Sequence, residues 1–149
     1  LPQIQAEAKG FSQVCFLDTY EGKYLEELGG MNMFVVMADG TIRTPELTGV
    51  ILEGGTRSAI LRMLRDQGVD VREEKIALSE VVDGIRSGAV AEVFACGTAA
   101  VVTPITRLGG DDFDVEIEVG DKTREIHKRL TDIQWGRAED PYGWTYRLA

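Results

Sequence analysis

The stretch YLEELGGMNMFVVMADGTIRTPE, residues 24–46, decides the architecture. Met33–Met37 is an unbroken apolar run, the pattern of a strand buried on both faces. Asp39-Gly40 follows directly, a strong signal for a two-residue hairpin, because glycine accepts the positive φ such a turn demands. Thr41–Thr44 is then the returning strand, closed by Pro45, which cannot donate to a ladder. At least one antiparallel pair follows from local chemistry alone.

Working outward, Val14–Leu17 is a second apolar run, and Asp18–Gly22 turns the chain after it. Downstream, Gly54-Gly55-Thr56 leads into a helix over Arg57–Gln67. Ile60, Met63 and Leu64 mark one face of it, Arg62 and Arg65 the other, and Gly68 stops it. Val69–Ile76 alternates weakly as a strand, and Ser79 is expected to cap a short helix running through Ile85 to Gly88. Val90–Cys96 is another buried strand, broken by Gly97-Thr98 before Ala99–Val102. Val115, Ile117 and Val119 alternate with acids as a half-exposed strand. Ile126, Leu130 and Ile133 line one face of a last helix. Ile4, Ala6 and Ala8, followed by Gly10, read as the end of a helix that starts before Leu1, so a truncated chain is expected. The sum is an α+β (mixed α/β) fold with one core, residues 1–149 forming a single domain.

At 149 residues the chain can enclose a real core, and 44% apolar with 28% charged residues is ordinary for a globular domain. The longest nearly unbroken apolar run, 31–38, is too short to cross a bilayer, and no signal-peptide pattern opens the chain. A net charge of −9 with dispersed acids argues against nucleic acid as partner, since phosphate backbones call for clustered Lys and Arg. One small phosphate is still bindable by backbone N–H groups. Cys15 and Cys96 both sit in apolar runs and are expected to be reduced core residues of a cytoplasmic protein. A single histidine, His127, among charged residues and two separated cysteines give no metal-ligand spacing. Asp111, Asp112 and Asp114 lack the spacing of a calcium loop and read as a solvated turn.

Three features carry potential chemistry. Gly54-Gly55-Thr56 at a helix start is suited to an anion, through free N–H groups and the helix dipole, or is simply a tight turn. Gly97-Thr98-Ala99-Ala100 after a buried strand leaves N–H groups uncovered beside a hydroxyl, or is a bulge. Glu26-Glu27 sits in an apolar strand region, where alternation should turn one carboxylate inward if the sheet is covered. The alternative is an edge strand with both acids in water.

In this order the features resemble the branched-chain aminotransferases, members of the fold-type IV enzymes that use pyridoxal 5′-phosphate. The matching stretches are FSQVCFLD (11–18), YLEELGGMNMFVVM (24–37), LEGGTRSAIL (52–61), EVFACGTAAVVTPI (92–105) and TDIQWGRAEDPYGWTYRL (131–148). Related D-amino-acid transaminases and aminodeoxychorismate lyases share only a bare Glu-x-x-x-x-Asn pattern and the glycine-threonine turn. The resemblance implies a pseudo-barrel of mixed strands with flanking helices. It assigns Glu27 to the pyridine nitrogen of the cofactor, and Gly55, Thr56 and Thr98 to its phosphate. It places Thr98 and Ala99 at the substrate α-carboxylate, and Gly30 at the border of the side-chain pocket. It implies amino transfer between leucine, isoleucine or valine and 2-oxoglutarate, with branched-chain amino acids and 2-oxo acids as ligands and a homodimer as the assembly. No metal, membrane or nucleic acid is implied.

Two departures matter. The family usually has Pro-Gly-Ile or Pro-Gly-Val where this chain has Glu53-Gly54-Gly55. The Schiff-base lysine belongs to a Lys-x-Gly-Gly-Asn-Tyr motif that would precede Leu1, and none of Lys9, Lys23, Lys75, Lys122 or Lys128 occupies its place. No catalytic residue is therefore expected within the chain, and the N-terminal small domain is expected to be absent. The chain alone should be inactive. The competing readings are a lysine-free phosphate- or cofactor-binding regulatory module, and a sister fold-type IV transaminase or lyase.

Overall fold

The computed structural model describes residues 2–148. Thirteen elements follow one another: α1 (Pro2–Ala8), β1 (Cys15–Leu17), β2 (Leu25–Leu28), β3 (Asn32–Met37), β4 (Ile42–Pro45), α2 (Gly55–Asp66), β5 (Val71–Glu74), α3 (Leu78–Ser87), β6 (Val90–Gly97), β7 (Val101–Pro104), β8 (Arg107–Gly109), β9 (Asp114–Glu116) and α4 (Asp121–Gln134). This is the α+β arrangement of mixed strands with flanking helices that the sequence implies.

The central sheet has the order β5-β4-β3-β6-β7, and the ribbons β1-β2 and β8-β9 stand beside it. The β3-β4 hairpin turns at Asp39-Gly40, with Gly40 at φ 91° and Asp39 accepting the N–H of Thr41 at 2.9 Å. β4 and β5 are parallel, so a crossover must join them, and α2 is that crossover. β3 and β6 pair antiparallel from Asn32↔Cys96 to Met37↔Val90.

β3 reads as a continuous apolar run because both of its faces are covered. Met33 and Val35 join a core with Val93, Ala95, Ile76, Val81 and Val82. Phe34 and Val36 point the other way, into a core with Phe94, Ile60, Met63, Leu64, Ile126 and Leu130. Phe34 and Phe94, directly opposite in the ladder, stack at 5.0 Å between ring centroids.

Local readings differ from the structure at three points. α3 begins at Leu78 with Ala77 in the cap position, so Ser79 is not its cap. The start is set by tertiary pairing: the Leu78 N–H donates to the Lys23 carbonyl at 2.9 Å, and Ala77 bridges Tyr24. The alternating acidic segment forms only the short strand Asp114–Glu116, with the Ile117 N–H turning to the Thr106 carbonyl. In β2, adjacent side chains do not alternate. Leu17 opposes Leu25 and Cys15 opposes Leu28, so β2 uses three residue steps where β1 uses two. This bulge buries Leu25 and Leu28 and leaves both Glu26 and Glu27 half-buried, instead of one in and one out.

Candidate functional site

Strand direction determines where the three sequence features meet. β4 and β6 both run antiparallel to β3, so the carboxyl ends of β4 and β6 lie at the amino end of β3. The Gly29-Gly30 turn enters β3 at that end, α2 is reached from β4 there, and the turn at 98–100 leaves β6 there. Helix start and glycine-threonine turn, 42 positions apart between Thr56 and Thr98, are thereby brought to one edge of the sheet.

Gly54 stands at φ 71°, ψ 118° and no side chain caps the helix behind it, so the first-turn N–H groups of α2 keep their donor capacity. A Cβ at Gly55 would meet nothing within 4 Å, which leaves open space in front of the helix start. Thr56 is half-buried in the same turn. Thr98 and Ala99 are exposed, and Val101, which ends the turn, sits at φ 56°. That conformation is unusual for a β-branched residue and marks the turn as held by its surroundings. Gly29 and Gly30 both take positive φ, 51° and 91°, with the Leu28 and Met31 backbones bonded to each other across them at 2.9 Å. Glu27 sits one residue before that tight turn, and its carboxylate has no hydrogen-bond partner among the described residues.

Two further polar residues are buried at this end, and of these Arg57 escapes a reading by motif. Arg57, in the first turn of α2, is 2% exposed and donates to Glu73 at 2.8 Å and to the Pro45 carbonyl at 3.2 Å. Its spacing to Ile60, Leu61 and Leu64 places it on the buried face and could have revealed it. Asn32, at the head of β3, donates to the Leu52 carbonyl at 2.8 Å. At the opposite end of β6, Glu92 is buried and accepts the N–H groups of Lys122 and Thr123, serving as a cap that α4 lacks locally.

The cysteines are free, and burial pushes both thiols up to about 12, with the nearby Arg57 charge partly opposing this at Cys96. Neither is a nucleophile at neutral pH. His127 is exposed. The lysines engage other groups. Lys9 pairs with Asp111, Lys122 with Glu125 and Lys128 with Asp132, while Lys23 and Lys75 lie over the Tyr24 ring at 5.1 and 5.3 Å. The terminal Asp-Pro-Tyr-Gly-Trp segment is architectural: Tyr142 and Trp144 stack at 4.1 Å and pack on the α2–α4 side of the sheet. A cavity of about 600 Å³ lies on the other side, bordered by Cys15, Leu28, Met31, Ala95 and Phe113. It begins next to the Gly29-Gly30 turn but does not take in Glu27, Gly55, Thr56 or Thr98. Among the described residues, no helix is long and apolar enough to cross a membrane.

The family described as Amino-transferase class IV matches residues 1–108. A probable branched-chain-amino-acid aminotransferase of Streptomyces coelicolor is 43% identical over 152 residues, covering all of this chain and 42% of that protein. The crystal structure of a branched-chain aminotransferase from Thermoproteus uzoniensis with norvaline superposes with TM-score 0.77 at 32% identity. It covers 92% of this chain and 42% of that one. A Thermobaculum terrenum branched-chain amino acid aminotransferase in its PLP form gives 0.73 at 28% identity, over 91% and 41% of the two chains. The chain thus belongs to the class IV aminotransferases and spans about two fifths of the length of these relatives.

Proposed function

We propose that residues 1–149 are the cofactor-binding domain of an enzyme that transfers an amino group between a branched-chain amino acid (leucine, isoleucine or valine) and 2-oxoglutarate. Membership of the class IV family is the premise. The observation that carries the reading is the convergence of the α2 start, the 98–100 turn and the Gly29-Gly30 turn at one end of the sheet.

The residues present fit pyridoxal 5′-phosphate. An uncapped helix start with open space before it matches a phosphate, and a half-buried, unpaired carboxylate matches a protonated ring nitrogen. When bound, this group supplies the electron sink that lets an amino acid lose its α-proton. The backbone N–H groups of Gly55 and Thr56 and the Thr98 hydroxyl hold the phosphate. Glu27 accepts the ring N–H and keeps the nitrogen protonated. The N–H groups of Thr98 and Ala99 receive the substrate carboxylate, and Gly30, lacking a side chain, leaves room for a branched aliphatic group. None of Lys9, Lys23, Lys75, Lys122 or Lys128 stands in the family's lysine motif, so the proton-moving amine comes from outside these residues and the chain alone binds without turnover. Exposed Val50 and Leu52, 66% and 68% accessible, are suited to burial in a larger homodimeric assembly acting in the cytoplasm.

The test is an amino-transfer assay on the full-length gene product, with leucine, isoleucine and valine each paired with 2-oxoglutarate. Glutamate formation from these three in preference to alanine or aspartate supports the proposal. Absence of glutamate with all three, in protein that retains its cofactor, overturns it.

A further inference from the structure

We propose that Asn32 is a positioning residue for the phosphate-binding turn, acting through Leu52 and Gly54 rather than by touching the ligand. This rests on the reading of α2 given above.

Asn32 is a polar side chain, 7% exposed, at the head of a strand whose next four residues are apolar and buried. Burying a carboxamide is unfavourable unless its groups find partners, so its bonds indicate what it is there to hold. Its Nδ2 donates to the Leu52 carbonyl at 2.8 Å. Its Oδ1 lies only 2.2 Å from where a Cβ on Gly54 would stand, too close for any side chain there, with the Asn32 Cγ 3.3 Å from that position. Residue 54 is therefore glycine on two counts, this contact and its φ of 71°. The Gly54 carbonyl accepts the Ser58 N–H at 3.0 Å and so opens the helix. The amide thus fixes residues 52–54, the segment that aims the N–H groups of Gly55 and Thr56.

Asn32 also pairs with Cys96, the residue before Gly97 and Thr98, and follows the Gly29-Gly30 turn that Glu27 precedes. By its side chain and by its place in the β3-β6 ladder, this one residue therefore ties the helix start to the two strands next to the turns that carry the other proposed ligand groups. A loop held this way offers its donors without reorganisation when an anion arrives.

The experiment compares the affinities of the full-length gene product for pyridoxamine 5′-phosphate and for pyridoxamine. Their ratio isolates the contribution of the phosphate. Asn32→Asp keeps the shape and replaces the donor with an oxygen facing the Leu52 carbonyl. The ratio is expected to fall by roughly tenfold, the scale of one lost hydrogen bond plus repulsion, while pyridoxamine affinity stays within about threefold. The ³¹P resonance of the bound phosphate should shift with it, which a merely structural role would not produce. Gly54→Ala disturbs the same contact from the other side. It should lower the ratio equally, with the double variant no worse than either single one. It also decides the matter if Asn32→Asp does not fold. A ratio unchanged in both variants, beside a wild type that strongly prefers the phosphorylated ligand, overturns the role of Asn32. A wild type without that preference overturns the phosphate-site reading itself.

Discussion

Arg57 and Glu73 form an ion pair at 2.8 Å that joins the first turn of α2 to the edge strand β5, with the guanidinium 2% exposed and its Nε without an acceptor. Glu73 also accepts Arg65 at 2.7 Å, and the Arg65 bond is the largest influence holding its carboxyl below the usual range. A buried cation tied to one shared carboxylate depends on that carboxylate, because a lone charge in the core has no solvent to compensate it.

Glu73→Gln is therefore expected to destabilise the protein by about 2 kcal/mol. Arg57→Met, which removes the charge and keeps the packing against the α2 core, should cost less. Urea unfolding of both variants checks the order. If Arg57→Met is the worse of the two, the pair is net stabilising rather than a charge to be compensated.

Glu92 caps α4 from a strand 30 positions away, accepting Thr123 N–H at 2.8 Å, Thr123 Oγ1 at 2.5 Å and Lys122 N–H at 3.1 Å. Glu92→Gln loses the favourable charge at the helix start and places an amide donor among donors. A loss of about 1–2 kcal/mol, or a Tm roughly 3–8 °C lower, is expected. An unchanged Tm would show that the carboxylate is dispensable.

Asp18 is held at about 2 by the N–H groups of Tyr24, Glu21 and Lys23, against an ordinary value of 3.8. Its folded-state pKa is depressed, so its contribution is complete above 3.8 and is lost as pH falls through about 2. Tm measured from pH 5 down to 2 should fall less steeply in Asp18→Asn than in wild type. Other depressed carboxyls, such as Asp114 and Asp140, act in both proteins and cancel in the comparison. Parallel curves would remove Asp18 from the acid response.

Glu27→Gln in the full-length protein is expected to lower kcat by a factor on the order of a hundred or more, with cofactor content nearly unchanged. Its proposed task is to keep a ring nitrogen protonated, and glutamine cannot. Equal activity would take Glu27 out of the mechanism. Thr98→Val, by contrast, should weaken cofactor retention; unchanged content after dialysis would show that the phosphate lies elsewhere.

Much of this was legible along the chain. The apolar run Met33–Met37 with Asp39-Gly40 specified the hairpin, and Gly10, Gly68 and Gly88, all at positive φ, ended their helices where expected. These signals are short in range: a strand buried on both faces has no polar alternation, and a left-handed terminus selects glycine. The motifs around Glu27, Gly55, Thr56 and Thr98 were equally visible, as was the family they resemble.

What only the tertiary structure decided involves residues far apart in sequence. The bulge that leaves Glu26 and Glu27 half-buried together arises from pairing with β1, and α3 begins at Leu78 because of a bond to Lys23. Arg57, Asn32 and Glu92 are polar residues whose burial is tolerable only because Glu73, Leu52 and Thr123 come to meet them. Local sequence specifies conformations that neighbouring residues can enforce. Compensation of buried charge and polarity is settled only when distant strands and helices close on one another.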